Sequence, residues 1–337
     1  MKTKINWQNL QLQDIGSIAA GGTPSTRNPN NFGGEVAWIT PADLTGYTDK
    51  YISKGKRNLS KTGLKNSSAI LLPKGSVLCS SRAPIGYVVI AENEIATNQG
   101  FKNIVPNTKI VNSEYLYYFL KGNKDLITSF ASGTTFLEIS AKRFSAIPIP
   151  VPPMAEQKRI VRKIEELFGV IDRDIQRLTD TLEQLSQFRQ SVLHQAFSGK
   201  LHKTTDWKKI TLKEAVDINP KTVLPALSDS EMVSFLPMPA VQEESLKYAE
   251  QKSSFGKVKK GYTKFRDKDV LFAKITPCME NGKGCIVHNL SHGIGFGSTE
   301  FHVLRCHKDV SPKFIYYFVI RRTFRAEAKN KMSGAVG

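Results

Sequence analysis

The chain can be laid against itself at an offset close to 200 residues, and no other feature limits its possible folds as strongly. Trp7-Gln8-Asn9-Leu10-Gln11-Leu12 recurs as Trp207-Lys208-Lys209-Ile210-Thr211-Leu212. Val36-Ala37-Trp38-Ile39-Thr40-Pro41 faces Val233-Ser234-Phe235-Leu236-Pro237-Met238, and Lys74-Gly75-Ser76-Val77-Leu78 faces Asp267-Lys268-Asp269-Val270-Leu271. Thr97-Asn98-Gln99-Gly100-Phe101 lies against Gly297-Ser298-Thr299-Glu300-Phe301, Tyr117-Tyr118-Phe119 against Tyr316-Tyr317-Phe318, and Ser132-Gly133 against Ser333-Gly334. Six pairings in one order point to a duplicated domain, and the period is too long for a solenoid array.

Each copy carries short β-like runs separated by Gly, Pro and Asn clusters: Val36 to Thr40, Ala69 to Leu72, Ser76 to Cys79, Tyr87 to Ala91, Gly284 to His288 and Glu300 to Leu304. Ser113 to Lys121 and Ser311 to Arg322 read as a helix late in each copy, with Tyr and Phe on one face. The expectation is an α+β domain, present twice, with a twisted and mostly antiparallel sheet.

Between the copies the sequence changes character. Ile147-Pro148-Ile149-Pro150-Val151-Pro152-Pro153 is an extended entry that cannot be helical. From about Ala155 to Phe197 there is no proline, and Gly199 supplies a C-cap. A helix of that length is a rod of roughly 65 Å. Ile164, Phe168, Ile171, Ile175, Leu178, Leu182 and Leu185 step by four and three, the heptad seam of a coiled coil that asks for one partner helix. The seam lapses at Arg189 and resumes at Val192. The expected division is therefore 1–152, a first domain; 153–200, a long helix acting as spacer; and 201–337, a second domain. Two readers on a stiff rod would meet two separated half-sites on one duplex.

Charge bears on the partner. Lys and Arg total 48 against 30 Asp and Glu, a net +18 with a pI near 9.7. Such an excess favours a polyanion, because each neutralised phosphate releases condensed counterions. No stretch is apolar enough to span a membrane, and the N-terminus lacks the apolar run of a signal peptide. Cys79, Cys278, Cys285 and Cys306 are too few for a disulfide framework in a chain of this size and read as reduced thiols of a cytoplasmic protein.

Several motifs then resemble one family. Pro152-Pro153-Met154-Ala155-Glu156-Gln157-Lys158-Arg159-Ile160-Val161 looks like the start of the conserved helix in specificity subunits of type I restriction-modification enzymes. Gly21-Gly22-Thr23-Pro24-Ser25-Thr26 followed by Trp38-Ile39-Thr40-Pro41-Ala42-Asp43-Leu44 resembles the opening of their target-recognition domains. Thr97 to Phe101 and the ending Ser333-Gly334-Ala335-Val336-Gly337 are further likenesses.

That resemblance implies a bacterial-defence subunit with two target-recognition domains, each reading half of a bipartite site in double-stranded DNA. It implies docking of two methyltransferase subunits and two ATP-dependent restriction and translocase subunits, with no catalytic residue in this chain. S-adenosylmethionine, ATP and Mg would belong to those partners, so no cofactor is expected here. The family also carries a second conserved helix after the second domain. The sequence runs to Gly337, comparable with Phe136 in the first copy. The expectation is of a chain cut short, with an incomplete second domain and a seam free to pair with a second molecule.

The residues agree with a non-enzyme. An adenine methyltransferase needs an Asp/Asn/Ser-Pro-Pro-Tyr/Phe corner for the flipped base. Val151-Pro152-Pro153-Met154 lacks the polar head and the aromatic, and Asn219-Pro220-Lys221 lacks the second proline. No phosphate loop of the Gly-x-x-x-x-Gly-Lys-Ser/Thr type occurs. The rival readings are a DNA-modifying enzyme in its own right and a basic structural adaptor without sequence preference.

Base reading needs donors and acceptors on loops that enter a groove. In the first copy the candidates are Thr23, Ser25, Arg27 and Asn28, then Ser81 and Arg82 in the turn Ser80-Ser81-Arg82-Ala83-Pro84, then Asn98 and Gln99. Asn98 alternatively caps a turn, and Arg82 alternatively meets phosphate or solvent. In the second copy the matching loops offer Lys274, Thr276, Ser298, Thr299 and Glu300. Arg321, Arg322, Arg325, Lys329 and Lys331 form a basic run suited to phosphate or to an acidic partner. Cys278, Cys285, His288, His292, His302, Cys306 and His307 crowd one stretch, yet lack a Cys-x-x-Cys pair, and Cys285 and His288 fall on opposite faces of a strand, so no metal site is expected.

Overall fold

The computed structural model describes residues 7–82, 84–133, 137–201 and 207–331. Ala83, Phe136 and the Ser333–Gly337 ending lie outside them. The chain forms two compact units, Met1–Ile175 and Gln176–Gly337.

The first unit is built on a five-stranded sheet of β1 (Gly16–Ala20), β2 (Tyr51–Ile52), β3 (Val77–Ser81), β4 (Ile85–Ala91) and β5 (Phe101–Pro106), in the order β1-β5-β3-β4-β2. All pairs are antiparallel except β2 with β4. Strand β3 is buried on both faces, which is why it reads as an apolar run without alternation. Helix α1 (Ser113–Gly122) covers the sheet through Tyr115, Leu116, Tyr117 and Leu120, and the Asn112 side chain caps its first turn by accepting from Tyr115 N at 2.9 Å. Burial of each such side chain contributes about 1.5–3 kcal/mol.

The second unit has an antiparallel sheet of β6 (Val216–Ile218), β7 (Val270–Ala273), β8 (Gly284–Ile286) and β9 (Phe301–Cys306), in the order β6-β9-β7-β8. A second sheet joins Gln251–Ser254, Met232–Leu236, Ile294–Gly297 and Thr263–Arg266 in that order.

The duplication is visible atom by atom. Ile18 pairs with Ile104 in the first unit and Ile218 with Leu304 in the second. Asn107 N donates to Ile15 O at 2.8 Å, and His307 N to Ala215 O at 3.1 Å. Ile39 opposite Thr97 recurs as Leu236 opposite Gly297, both in parallel pairs.

The long helix α2 spans Met154–Phe197. Its start is tied to the first unit by Gln157, whose side chain accepts from Asn112 N at 2.8 Å and donates to Ile110 O at 2.9 Å and Pro152 O at 2.8 Å. Its end belongs to the second unit, where Phe197 packs on Phe314 and Phe318 and Gln190 Oε1 accepts from Arg322 N. Gly199, at φ +74°, closes it: Gly199 N donates to Ala196 O and Lys200 N to Gln195 O.

Four expectations about elements need correction. Ala69–Leu72 is not a strand; it makes one bridge, Leu72 to Ile95. The run from Val36 divides into Phe32–Val36 and Trp38–Ile39, and the run to His288 stops at Ile286. The late helix of the second copy breaks at Arg321, whose ψ of 140° is extended, giving α3 (Pro312–Val319) and α4 (Arg322–Asn330). The parallel pairs arise from crossovers, which strand periodicity does not encode.

Candidate DNA interface

Strands β1, β5 and β3 end together, because Ala20 and Cys79 both lie opposite Lys102. Three segments therefore emerge at one edge: Gly21 to Asn28, the chain leaving β3 at Ser81 and Arg82, and Thr97 to Gly100. Gly21 allows the first loop to lie on the third, and Gly22 allows it to lie on Ser68 and Ala69. A Cβ on Gly21 would sit 2.0 Å from Asn98 O, and one on Gly22 would sit 2.4 Å from Ala69 N. Gly22 N donates to Thr97 O at 2.9 Å, and the Trp38 indole donates to Gly22 O at 3.1 Å. Thr23 and Gln99 then meet through a side-chain hydrogen bond at the exposed tip.

The candidates divide into presented and supporting groups. Thr23, Ser25, Arg27 and Gln99 are exposed. Asn28 is exposed but caps the turn Pro29–Asn31, accepting from Asn30 N at 3.1 Å. Asn98 Oδ1 accepts from Gly100 N at 2.9 Å, and Ser298 Oγ accepts from Glu300 N at 3.2 Å, so both hold the same turn. Ser81 is fully buried and donates to Gly100 O at 3.1 Å, so it supports the edge rather than facing outward. Arg82 Nη1 stands 3.7 Å from Glu138 Oε2.

Sequence reading missed Lys102, hidden in a strand. Its side chain is 8% exposed, with Nζ 3.2 Å from Ser81 Oγ and 3.7 Å from Glu138 Oε1. Burial pulls its pKa down, Glu138 opposes that, and the nearby Arg82 charge adds to it.

In the second unit the same sheet edge opens into a cleft of about 500 Å³ lined by Asn219, Lys221, Thr222, Tyr262, Lys264, Lys274 and Thr299, with Phe301 and Val303 at its base. No carboxylate lines it. Lys274 occupies the place of Ser81: Lys274 N donates to Glu300 O as Ser81 N does to Gly100 O. His302 occupies the place of Lys102, and burial followed by the Lys274 charge lowers its pKa. The structure brings Lys274 and Thr299 together here. Thr276 lies half-buried in the turn that follows, and Glu300 is half-buried beside Ser298. Asn219, Lys221 and Lys264 were missed; the offset of 200 sets Lys221 against Gly21 and was the available signal.

The residues of the basic run differ in their surroundings. Arg325 is 4% exposed and bonds the Glu244 carboxylate and Glu280 O, while Lys329 Nζ pairs with Glu280 Oε2 at 2.7 Å. Arg321 lies over the Phe197 and Phe318 rings, and Arg322 donates to Ser186 Oγ at 2.8 Å. Arg321 and Arg325 serve packing within the unit, whereas Arg322 and Lys329 remain exposed. Among the described residues no group of three His, Cys, Asp or Glu could hold a metal. No described helix is long and apolar enough to cross a membrane.

The α+β unit is thus present twice, each time with polar and basic loops at one edge of its main sheet. The model of the type I restriction modification DNA specificity domain matches residues 4–184, more than half of the chain, and the chain belongs to that family. It is 39% identical over 187 residues to the type I restriction enzyme MjaIX specificity subunit of Methanocaldococcus jannaschii, covering 55% of this chain and 43% of that protein. It is 37% identical over 133 residues to the EcoEI specificity subunit of Escherichia coli, covering 39% of this chain and 22% of that one. The matched stretch thus spans less than half the length of either relative. The fold is like that of the HsdS subunit from Thermoanaerobacter tengcongensis, with a TM-score of 0.61 at 17% identity over 99% of this chain and 83% of that one.

Proposed function

We propose that this chain is the sequence-reading, non-catalytic subunit of a type I restriction-modification complex, working on double-stranded DNA in the cytoplasm. Residues 1–152 and 201–337 read the two halves of a bipartite site, and 153–200 links them and docks partner subunits. Two methyltransferase subunits would supply adenine methylation from S-adenosylmethionine, and two restriction subunits would supply ATP- and Mg-dependent translocation. The observation that carries this reading is one sheet edge made twice with different chemistry. Arg82, Gln99 and Lys102 stand at the first edge, and Lys274, Thr299 and Lys221 at the second. Equal scaffolds with unequal tips suit an asymmetric site. Methylation sequencing of a host expressing this chain with its methyltransferase tests it. The expected outcome is one bipartite motif whose first half changes in Gln99→Ala; methylation without any motif would overturn the reading.

A further inference from the structure

The loop that carries Lys221 is held by different means from its counterpart in the first unit. There the anchors are backbone and indole: Gly22 N donates to Thr97 O, and Trp38 Nε1 donates to Gly22 O. The duplication sets Thr222 against Gly22, since Ile18 opposite Ile104 recurs as Ile218 opposite Leu304. It sets Phe235 against Trp38, and a phenyl ring has no donor to offer. Among the described residues, no backbone-to-backbone hydrogen bond anchors Lys221 or Thr222.

Arg305 takes over that task. Its Nη1 donates to Lys221 O at 3.4 Å and its Nη2 to Thr222 Oγ1 at 3.1 Å. The Thr222 hydroxyl in turn donates to Lys264 O at 3.4 Å. One guanidinium thus ties two walls of the cleft, the loop bearing Lys221 and the strand Thr263–Arg266 bearing Lys264. The guanidinium is itself fixed by a two-pronged pair with Asp269, Nε to Oδ1 at 2.9 Å and Nη2 to Oδ2 at 2.8 Å, with side chains 11% and 2% exposed. Asp269 Oδ2 also accepts from Arg266 N at 2.9 Å, at the end of the same strand. Neither partner exists in the first unit, where Val105 and Ser76 stand in their places. An enclosed ion pair is a poor source of stability, because desolvation of both ions offsets their attraction, and an apolar pair of similar size serves a core as well or better.

We propose that Arg305, fixed by Asp269, is a positioning residue for DNA recognition by the second unit: it holds Lys221 and Thr222 at the cleft so that Lys221 and Lys264 meet the phosphate backbone at a set spacing. This rests on the reading of that cleft as a DNA surface. Arg305 does not itself contact DNA, since Nε, Nη1 and Nη2 are all engaged within the unit. A loop ordered in advance loses less freedom on binding than one that DNA must order.

The test uses the full 337-residue chain assembled with its methyltransferase, a labelled duplex carrying its methylated site, and filter binding across a salt series. The double variant Asp269→Asn, Arg305→Met removes both charges and keeps an acceptor for Arg266 N. It is expected to melt at or above the temperature of the parent. Its affinity is expected to fall about tenfold, and its slope of log affinity against log salt to fall by about 0.9, one phosphate. Lys221→Ala costs the parent the same slope, but in the double variant it adds less than about a twofold loss, because the lysine is no longer held in place. A pair that only supports the fold would show no such coupling. Arg305→Lys keeps a cation beside Asp269 without the planar fork, is expected to show the same coupling, and is the variant to read if the double one fails to fold. Undiminished affinity and slope in a folded variant would overturn the proposal, as would a full Lys221→Ala loss in that background; both leave the cleft as a DNA surface. No effect of Lys221→Ala or Lys264→Ala in the parent would remove the cleft as a DNA surface, and the proposal with it.

Discussion

At Lys102 the strand carries a side chain that works against stability. A buried ammonium held by one hydroxyl and a carboxylate 3.7 Å away is a costly choice for a strand, and its lowered pKa records that cost. Lys102→Met is expected to be neutral or stabilising by about 1 kcal/mol in thermal melts, while weakening affinity for the cognate duplex. A loss of both would make the lysine structural. His302 offers a pH test. Its folded pKa lies below the ordinary 6.5, so its stabilising effect is complete above 6.5 and is lost as pH falls through the lowered value. Its Nδ1 stands 3.1 Å from Asn219 Nδ2, an arrangement that suits neutral imidazole. The melting temperature is expected to fall from pH 7 to pH 5, and to fall less in His302→Gln; equal losses would rule out His302 as the group responsible.

Among the elements, α2 was the most legible, since a proline-free heptad run between a proline-rich entry and a glycine cap has few readings. Ile164 is half-buried, whereas Phe168, Ile171, Ile175, Leu178, Leu182 and Leu185 are each more than half exposed, up to 69% at Leu182. Changing Leu178, Leu182 and Leu185 together to Gln is expected to shift stability by no more than about 0.5 kcal/mol per site. Sedimentation velocity should show loss of association through the helix. A large stability loss would mean that the seam is covered within the chain. The target loops were less legible. Thr97 and Asn98, some 75 residues on, crowd Gly21, and Ser68 and Ala69 crowd Gly22, approaches that no local pattern carries.

Across the whole molecule the net charge of +18 is spread unevenly in use. Arg325 and Lys329 are neutralised by Glu244 and Glu280, whereas Lys221, Lys264 and Lys274 share a cleft without a lining carboxylate. Replacing those three lysines by Ala is expected to lower the slope of log affinity against log salt by about 2.7, three phosphates at about 0.9 each. Filter binding across a salt series measures it; an unchanged slope would place the phosphates elsewhere.

The sequence by itself determined the duplication, the α+β class of each copy and the long helix between them. These rest on repeat, periodicity and punctuation, which are local properties read along the chain. The tertiary structure decided which polar residues are available. Arg325 and Lys221 read alike in the sequence, yet one is enclosed by carboxylate and carbonyl and the other lines an open cleft. That difference is set by contacts between residues far apart in the chain, and no local pattern carries it.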